Sequence, residues 1–235
     1  MNPPPPAKDA STVPIIGGTG ALGFGLSLAF ARAGLSVAIG SRDPERALES
    51  AARAVQEVPG ASVEGLSNEE AANRGGVLFL AVPFRAQSET LTNLREHLSP
   101  GQILVDCTVP LAAAVAGKAT RLLGVWQGSA AEQAQEMVPE GVTVVSALHT
   151  VSAKSLTDGD EFDEDTLICG DRKADKAVVA ELIGLIPGLR PVNAGALETS
   201  RITESLTPLL ISINGRYKTH SGIRVTGLPD GDHWS

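Results

Sequence analysis

The sequence predicts an α/β fold in which helices cover both faces of a doubly wound, parallel β-sheet. Two observations lead to this prediction. Short apolar runs alternate along the chain with segments whose apolar residues recur at helical spacing. Hydrophobic residues make up 43% of the 235 residues but aromatic residues only 3%, so the core must consist mainly of Ala, Val, Leu and Ile, a mixture typical of parallel sheets between helices.

The first predicted strand begins near Val13 and ends in a glycine cluster. Residues 15–23 read IIGGTGALG, in which Gly18, Gly20 and Gly23 match the spacing G-x-G-x-x-G. We expect the first of these glycines to permit a sharp turn, the second to let a pyrophosphate approach the backbone, and the third to pack the following helix against the strand. Because the helix N-terminus presents unpaired N–H groups to phosphates, the stretch predicts a Rossmann-type dinucleotide-binding domain.

The second predicted strand, over residues 35–39, leads into Gly40-Ser41-Arg42, and Arg46 follows one helical turn later. A Rossmann-type domain that prefers NAD usually carries an acidic residue here, which accepts hydrogen bonds from the ribose hydroxyl. A hydroxyl and two guanidinium groups instead suit a 2′-phosphate, which they bind through charge-assisted hydrogen bonds. We therefore predict NADP(H) rather than NAD. The alternative is that Arg42 and Arg46 are solvated residues at the start of a helix.

The elements that follow alternate between helix and strand. Asp43 and Pro44 begin a helix as its acidic cap and first-turn proline. The apolar run 77–82 is typical of a central strand buried on both faces, and Pro83 turns the chain over the carboxyl edge of the sheet. The other predicted strands cover residues 61–66, 103–106, 142–146, 166–170 and 189–193, and the predicted helices cover residues 24–31, 43–55, 68–72, 88–97, 130–138, 171–186 and 199–213, the last interrupted at Pro208.

We predict that the chain divides into three parts. Residues 1–12 contain four consecutive prolines and small polar residues, and form a disordered leader. Residues 13–148 form the NADP-binding Rossmann-type domain, and residues 149–235 form a smaller C-terminal α/β unit. The acidic run 158–165 lacks the ligand spacing of an EF-hand, so we interpret it as a solvated loop.

Composition and charge argue against several classes of partner. The formal net charge of -8 disfavours a nucleic-acid backbone or an anionic membrane surface. Cys107 and Cys169 are too few and too far apart for a disulfide framework or a metal site, so we expect both to be reduced and buried. No apolar run reaches the ~18 residues of a membrane span, and we predict a cytoplasmic protein without a metal site.

Several segments together carry a family resemblance. They are GGTGALG (17–23), GSR (40–42), VVSALHT (144–150), CGD (169–171), GLRP (188–191) and ESLTPL (204–209). In these segments the chain resembles the NADPH-dependent F420 reductases, the F420H2:NADP oxidoreductase family, from about Val13 to Leu210. The resemblance implies a reversible hydride transfer between C4 of the nicotinamide of NADP(H) and C5 of the deazaflavin ring of coenzyme F420, and a C-terminal unit that completes the F420 site.

The resemblance also implies a set of site residues. His149 would orient the deazaflavin, beside Thr207 and Pro208, with the alternative that backbone groups satisfy this histidine. The residues that would contact NADP(H) are Thr19, Gly20, Ala21, Leu22, Ser41, Arg42, Arg46, Val82, Ala86, Val109 and Ala153.

Two other functions stay open from the sequence. One is an NADPH-dependent imine or ketone reductase with the same first domain, and the other is a non-enzymatic NADP sensor. A short-chain dehydrogenase is disfavoured because Tyr217 is the only tyrosine and no Tyr-x-x-x-Lys occurs. The apolar helix near Pro208 predicts a homodimer or higher homo-oligomer, because one subunit is not expected to cover it.

Overall fold

The computed structural model describes residues 12–229 and Trp234. Eight strands form one sheet, and helices connect most of them. The predicted leader lies outside the described residues, apart from Thr12, which begins the first strand. The strands are β1 (Thr12–Ile16), β2 (Ser36–Ser41), β3 (Val63–Ser67), β4 (Val77–Leu80), β5 (Ile103–Asp106), β6 (Thr143–Ser146), β7 (Glu164–Cys169) and β8 (Leu189–Gly195). The α-helices are α1 (Ala21–Arg32), α2 (Pro44–Glu57), α3 (Asn68–Ala72), α4 (Phe84–Leu94), α5 (Ala130–Met137), α6 (Ala153–Asp158), α7 (Lys173–Ile183) and α8 (Ser200–Tyr217).

The strand order is β3-β2-β1-β4-β5-β6-β7-β8. All neighbours from β3 to β6 are parallel, and the order reverses direction between β1 and β4, where a doubly wound sheet opens a crevice at the carboxyl ends of its strands. This confirms the predicted fold class. β7 continues the sheet antiparallel to β6 through the single pair Ser146 and Cys169, and β8 is parallel to β7. The division of the chain at residue 148 stays a prediction.

The helices pack on both faces of the sheet because its central strands are apolar on both sides. In β4, Phe79 belongs to the hydrophobic cluster that contains α1, α2, α6 and α7, whereas Leu78 and Leu80 belong to the cluster that contains α3, α4 and α5. All three side chains are fully buried. The alternation follows from the two-residue period of a strand, and it explains why residues 77–82 read as a continuous apolar run.

Three elements differ from the prediction. α4 begins at Phe84, one turn earlier than expected, with Pro83 as its N-cap. α6 is a helix of six residues in a polar segment where none was predicted. α8 continues through Pro208 to Tyr217 and is not interrupted there.

The acidic run 158–165 is not a solvated loop throughout. Its last two residues, Glu164 and Asp165, begin β7, and Asp165 is fully buried. Arg190 of the neighbouring strand donates to both carboxylate oxygens of Asp165, at 2.7 and 2.8 Å, and the Val225 N–H donates to one of them. Because this bidentate pairing compensates the buried charge, the carboxylate can enter the sheet.

Helix α1 lies against its neighbours at two glycines. A Cβ atom on Gly23 would come within 2.7 Å of the Gly17 carbonyl oxygen, and one on Gly25 within 2.9 Å of the Ala153 carbonyl oxygen in α6. Cβ atoms do not approach backbone so closely. The absence of side chains at these two glycines therefore permits α1 to contact both the turn that precedes it and helix α6.

We expect Gly23→Ala to destabilise the protein by about 1–3 kcal/mol, because the added methyl group overpacks a backbone contact that cannot yield. Gly215→Ala in α8 is the matched control, since a Cβ there meets nothing within 4 Å. The control should be neutral or slightly stabilising. Denaturant unfolding measures both variants, and equal stability of the two would contradict the prediction.

Candidate functional site

A cavity of about 540 Å³ opens at the carboxyl ends of β1, β2 and β4, the place where the strand order reverses. Parallel sheets of this type bind ligands at that position. The lining residues are Gly17, Thr19, Gly20, Ser41, Arg42, Asp43, Arg46, Asn68, Ala81, Val82, Pro83, Arg85 and Ala86.

The turn between β1 and α1 forms the floor of the cavity. Gly17 adopts a φ of +76°, and its N–H donates to Oδ1 of the buried Asn68 at 3.1 Å. The left-handed residue of the turn is thus Gly17, which lies outside the three glycines of the G-x-G-x-x-G motif. Gly18 is needed for space instead, because a Cβ there would lie 2.9 Å from the Ile15 carbonyl oxygen. The spacing of a glycine motif does not reveal which glycine carries the positive φ.

The cavity leaves room for phosphate beside Gly20. A Cβ on Gly20 would come no closer than 3.4 Å to any atom, so this backbone is open. Gly20 is the N-cap of α1, and no described side chain caps the helix. Ala21 and Leu22 occupy its first turn, where N–H groups have no partner within the helix. A phosphate can accept hydrogen bonds from such groups.

Three arginines line the cavity. Arg42 and Arg46 were predicted there, and Arg85, in the first turn of α4, was not. The signal for Arg85 was its place two residues after Pro83 at the carboxyl edge, which became useful only once α4 was seen to begin at Phe84. Asp43 also lines the cavity, but its carboxylate accepts from the N–H groups of Glu45 and Arg46 as the cap of α2. The charge beside the cavity is therefore predominantly positive.

His149 lies outside this cavity, beyond the end of β6. The preceding residue, Leu148, is buried and adopts a φ of +68°, which is rare for leucine, and its N–H donates to Thr166 Oγ1 at 3.0 Å. Thr207 of α8 donates its hydroxyl to the His149 carbonyl oxygen at 2.8 Å. Strand β7 and helix α8 thus hold the backbone around His149, and Thr207 and its neighbour Pro208 lie close to it.

The imidazole of His149 is buried and neutral. Burial lowers the pKa of His149 to about 4, against the opposing effect of a hydrogen bond with the Asp106 backbone. The Asp106 carbonyl oxygen can only accept a hydrogen bond, and Nε2 has no described partner. We therefore assign the proton of the neutral ring to Nδ1, which leaves the lone pair on Nε2. No described residue hydrogen-bonds to the buried Nε2. The histidine can therefore accept a hydrogen bond, but it does not carry a positive charge near neutral pH.

The predicted site residues fall into two groups. Seven of them line the cavity together: Thr19, Gly20, Ser41, Arg42, Arg46, Val82 and Ala86. The others lie outside the lining. Ala21 and Leu22 are in the first turn of α1, Val109 follows β5, Ala153 begins α6 against Gly25, and Thr207 and Pro208 are on α8 beside His149.

Helix α8 is connected to helix α5 by a buried carboxyl group. Glu204 accepts hydrogen bonds from the N–H groups of Ala130 and Ala131, at 3.0 and 3.2 Å, and so caps α5 from α8. Nearby, Gln87 donates to Asp106 Oδ2 at 2.6 Å. Burial raises the pKa of Glu204 to about 8, with the charge of Asp106 adding to the rise and the two N–H groups opposing it. Sequence reasoning missed this cap because Glu204 lies 74 and 73 residues after the two residues whose N–H groups it accepts from.

Some classes of site are not found among the described residues. Residues 12–229 and Trp234 contain no group of three or more His, Cys, Asp or Glu side chains that could hold a metal ion. Within the same residues, no helix is both long and apolar enough to cross a membrane. Cys107 and Cys169 are free and buried, as predicted.

We expect Glu204→Gln to change the pH dependence of stability. The pKa of Glu204 is raised from 4.5 to about 8 on folding, so between these pH values the folded chain binds a proton that the unfolded chain does not. This group therefore makes the free energy of unfolding fall as the pH rises from about 4.5 to about 8. The amide cannot titrate, so the variant should lose a slope of up to about 1.4 kcal/mol per pH unit. Unfolding at several pH values measures this, with the exposed Glu140→Gln as control. A difference from the unsubstituted protein that is constant with pH would contradict the expectation.

Comparisons with known proteins agree with this geometry. The sequence model of a family described as NADP oxidoreductase coenzyme F420-dependent matches residues 12–110. The F420-dependent NADP reductase of Methanothermobacter thermautotrophicus is 42% identical over 224 residues, which cover 93% of this chain and 96% of that protein. The protein of the same name from Methanocaldococcus jannaschii is 42% identical over 222 residues, which cover 92% and 98% of the two chains.

A solved structure extends the similarity to the fold. The crystal structure of a putative F420-dependent NADP reductase from Arthrobacter sp. FB24 superposes with a TM-score of 0.77 at 26% identity, covering 93% of this chain and 100% of that one. An imine reductase from Streptomyces aurantiacus, with a TM-score of 0.60 at 20% identity, shares the fold alone. On the identity and coverage of these relatives, the chain belongs to the family of F420-dependent NADP reductases.

Proposed function

We propose that this protein transfers a hydride reversibly between NADP(H) and coenzyme F420. One observation carries the proposal: an open glycine turn, an uncapped helix N-terminus and three guanidinium groups line the same 540 Å³ cavity. This combination fits a dinucleotide that carries an additional phosphate. The F420-dependent NADP reductases to which the chain is similar over nearly its whole length support F420 as the second reactant.

NADP(H) would bind with its pyrophosphate at the β1–α1 turn, where Thr19, Ala21 and Leu22 would supply backbone N–H groups. Gly20, whose own N–H donates to the Gly17 carbonyl oxygen at 3.0 Å, would provide the space for the phosphates. The 2′-phosphate would bind at the opposite end of the cavity. Ser41, Arg42 and Arg46 are the predicted partners there, and Arg85 is added to them by its position. A dianionic phosphate compensates the excess of positive charge at this end.

The nicotinamide would extend past Val82 and Ala86 toward Val109 and Ala153, with the deazaflavin on the side of His149, Thr207 and Pro208. When both are bound, the two ring systems supply the hydride chemistry themselves. The chain supplies position. Small apolar side chains exclude water from the rings, and the reacting carbons must be held about 3–3.5 Å apart for transfer to be fast. The Nε2 lone pair of His149, which has no partner among the described residues, would accept a hydrogen bond from an N–H group of the deazaflavin.

The experiment that tests the proposal mixes the purified chain with NADPH and F420 and follows the deazaflavin absorbance. We expect rapid reduction of F420 with NADPH and a much slower reaction with NADH. Absence of exchange with NADPH binding retained would favour a sensor. Activity on an imine or ketone without F420 reduction would favour the alternative reductase.

We expect His149→Ala to lower F420 turnover about tenfold, the equivalent of one lost hydrogen bond, and to leave NADPH affinity nearly unchanged. His149→Gln should recover part of the turnover because its Oε1 can occupy the position of Nε2 and accept the same hydrogen bond. Steady-state kinetics with F420 and NADPH binding measure both variants. Unchanged F420 kinetics in His149→Ala would remove the residue from the site.

We also infer a homodimer or higher homo-oligomer in the cytoplasm. Ile202, Leu209 and Tyr217 on α8 are 57%, 53% and 71% exposed, so this helix presents apolar side chains that a second copy can cover. Two free, buried cysteines agree with a reducing compartment. Sedimentation over a range of protein concentrations tests the oligomeric state, and a monomer at all concentrations would contradict it.

A further inference from the structure

A carboxylate stands beside the guanidinium group that the proposed function assigns to the 2′-phosphate. Arg42 Nη1 lies 3.7 Å from Glu89 Oε2. Arg42 follows β2 and Glu89 is on α4, so the contact connects two segments that both contribute residues to the cavity lining. Glu89 is one helical turn after Arg85 and shares its face of α4.

The pair contributes little to the stability of the fold. The side chains of Arg42 and Glu89 are 70% and 65% exposed, and the contact is longer than a direct hydrogen bond. Exposed ion pairs of this kind are worth little, because water screens the charges and both side chains lose freedom. No described backbone group donates to the Glu89 carboxylate, unlike that of Asp43, which caps α2. The Glu89 carboxylate thus has Arg42 as its nearest cationic partner, and it stands just outside the residues that line the cavity.

We infer that Glu89 is a specificity-determining residue that competes with the 2′-phosphate for Arg42 and weakens the binding of NADP(H) without affecting NAD(H). The inference rests on the proposed function, which places the 2′-phosphate at Arg42. A phosphate that binds there must displace the carboxylate or lie beside it, and in either case two anions share one guanidinium. Ligands without the 2′-phosphate do not meet this repulsion.

A carboxylate at this position limits affinity in a way that suits turnover. NADP(H) has to leave after each hydride transfer, and three arginines without an opposing charge would hold it more tightly. Since the groups are exposed, the repulsion acts through water and should weaken as salt screens it. Salt dependence therefore distinguishes an electrostatic role of Glu89 from a change in the shape of the cavity.

The test compares Glu89→Gln with Glu96→Gln. Glu96 is an exposed glutamate seven residues further along, so its substitution makes the same chemical change at a residue that does not line the cavity. The ligands are NADPH, 2′,5′-ADP, which carries the 2′-phosphate without the nicotinamide, and NADH. We expect Glu89→Gln to bind NADPH and 2′,5′-ADP about three- to tenfold more tightly at low salt, and the gain to shrink near 1 M salt. NADH binding, and all binding by Glu96→Gln, should stay unchanged.

Two results would overturn the inference. Unchanged affinity in Glu89→Gln would make the residue an ordinary surface group, and weaker affinity would mean that it holds Arg42 in place for the phosphate. Arg42→Ala separates this failure from that of the proposed function. If Arg42→Ala leaves NADPH affinity unchanged, the placement of the 2′-phosphate is wrong. If it weakens NADPH binding while Glu89→Gln does not tighten it, only the role of Glu89 is wrong.

Discussion

The close approach of helix α1 to the turn that precedes it is the constraint on which the candidate site depends. Gly23 lies directly on the backbone of Gly17 and Gly18, with no room for a Cβ. This contact fixes the helix N-terminus at the carboxyl end of β1, next to the strand β4 and the start of α4. The floor of the cavity and the helix N-terminus beside it both take their positions from this contact.

A second set of contacts connects the C-terminal elements to this frame. Glu204 reaches from α8 to cap α5, Thr207 of the same helix donates to the His149 backbone, and α6 packs on α1 at Gly25. The first two contacts are hydrogen bonds between a side chain and a distant backbone group, and the third is close packing of backbone on backbone. They hold Thr207 at His149, beyond the carboxyl end of β6, which lies at the same edge of the sheet as the cavity because β1, β4, β5 and β6 are parallel.

The fold could be predicted from sequence because its signals are local: apolar runs for central strands, helical spacing between them, and a glycine cluster after the first strand. Within the cavity lining, Gly20, Ser41, Arg42 and Arg46 followed from local motifs, whereas Thr19, Val82 and Ala86 came from the family resemblance. What could not be predicted depends on distant partners or on short segments. Arg85 needed the true start of α4, Asn68 needed its hydrogen bond to Gly17, and α6 is too short for a periodic pattern. Asp165 looked like part of a charged loop until its pairing with Arg190 was visible.

The junction between β6 and β7 has a consequence for how such a protein can change. A single residue pair, Ser146 and Cys169, joins the two strands, whereas four pairs join β5 to β6. The backbone ladder thus contributes little across this seam, and side chains such as Glu204 and Thr207 align the parts on either side. Substitutions at the seam can therefore shift β7 and β8 relative to the cavity while the strands from β3 to β6 keep their register, so this is the place where the fold can vary at the lowest cost in backbone hydrogen bonds.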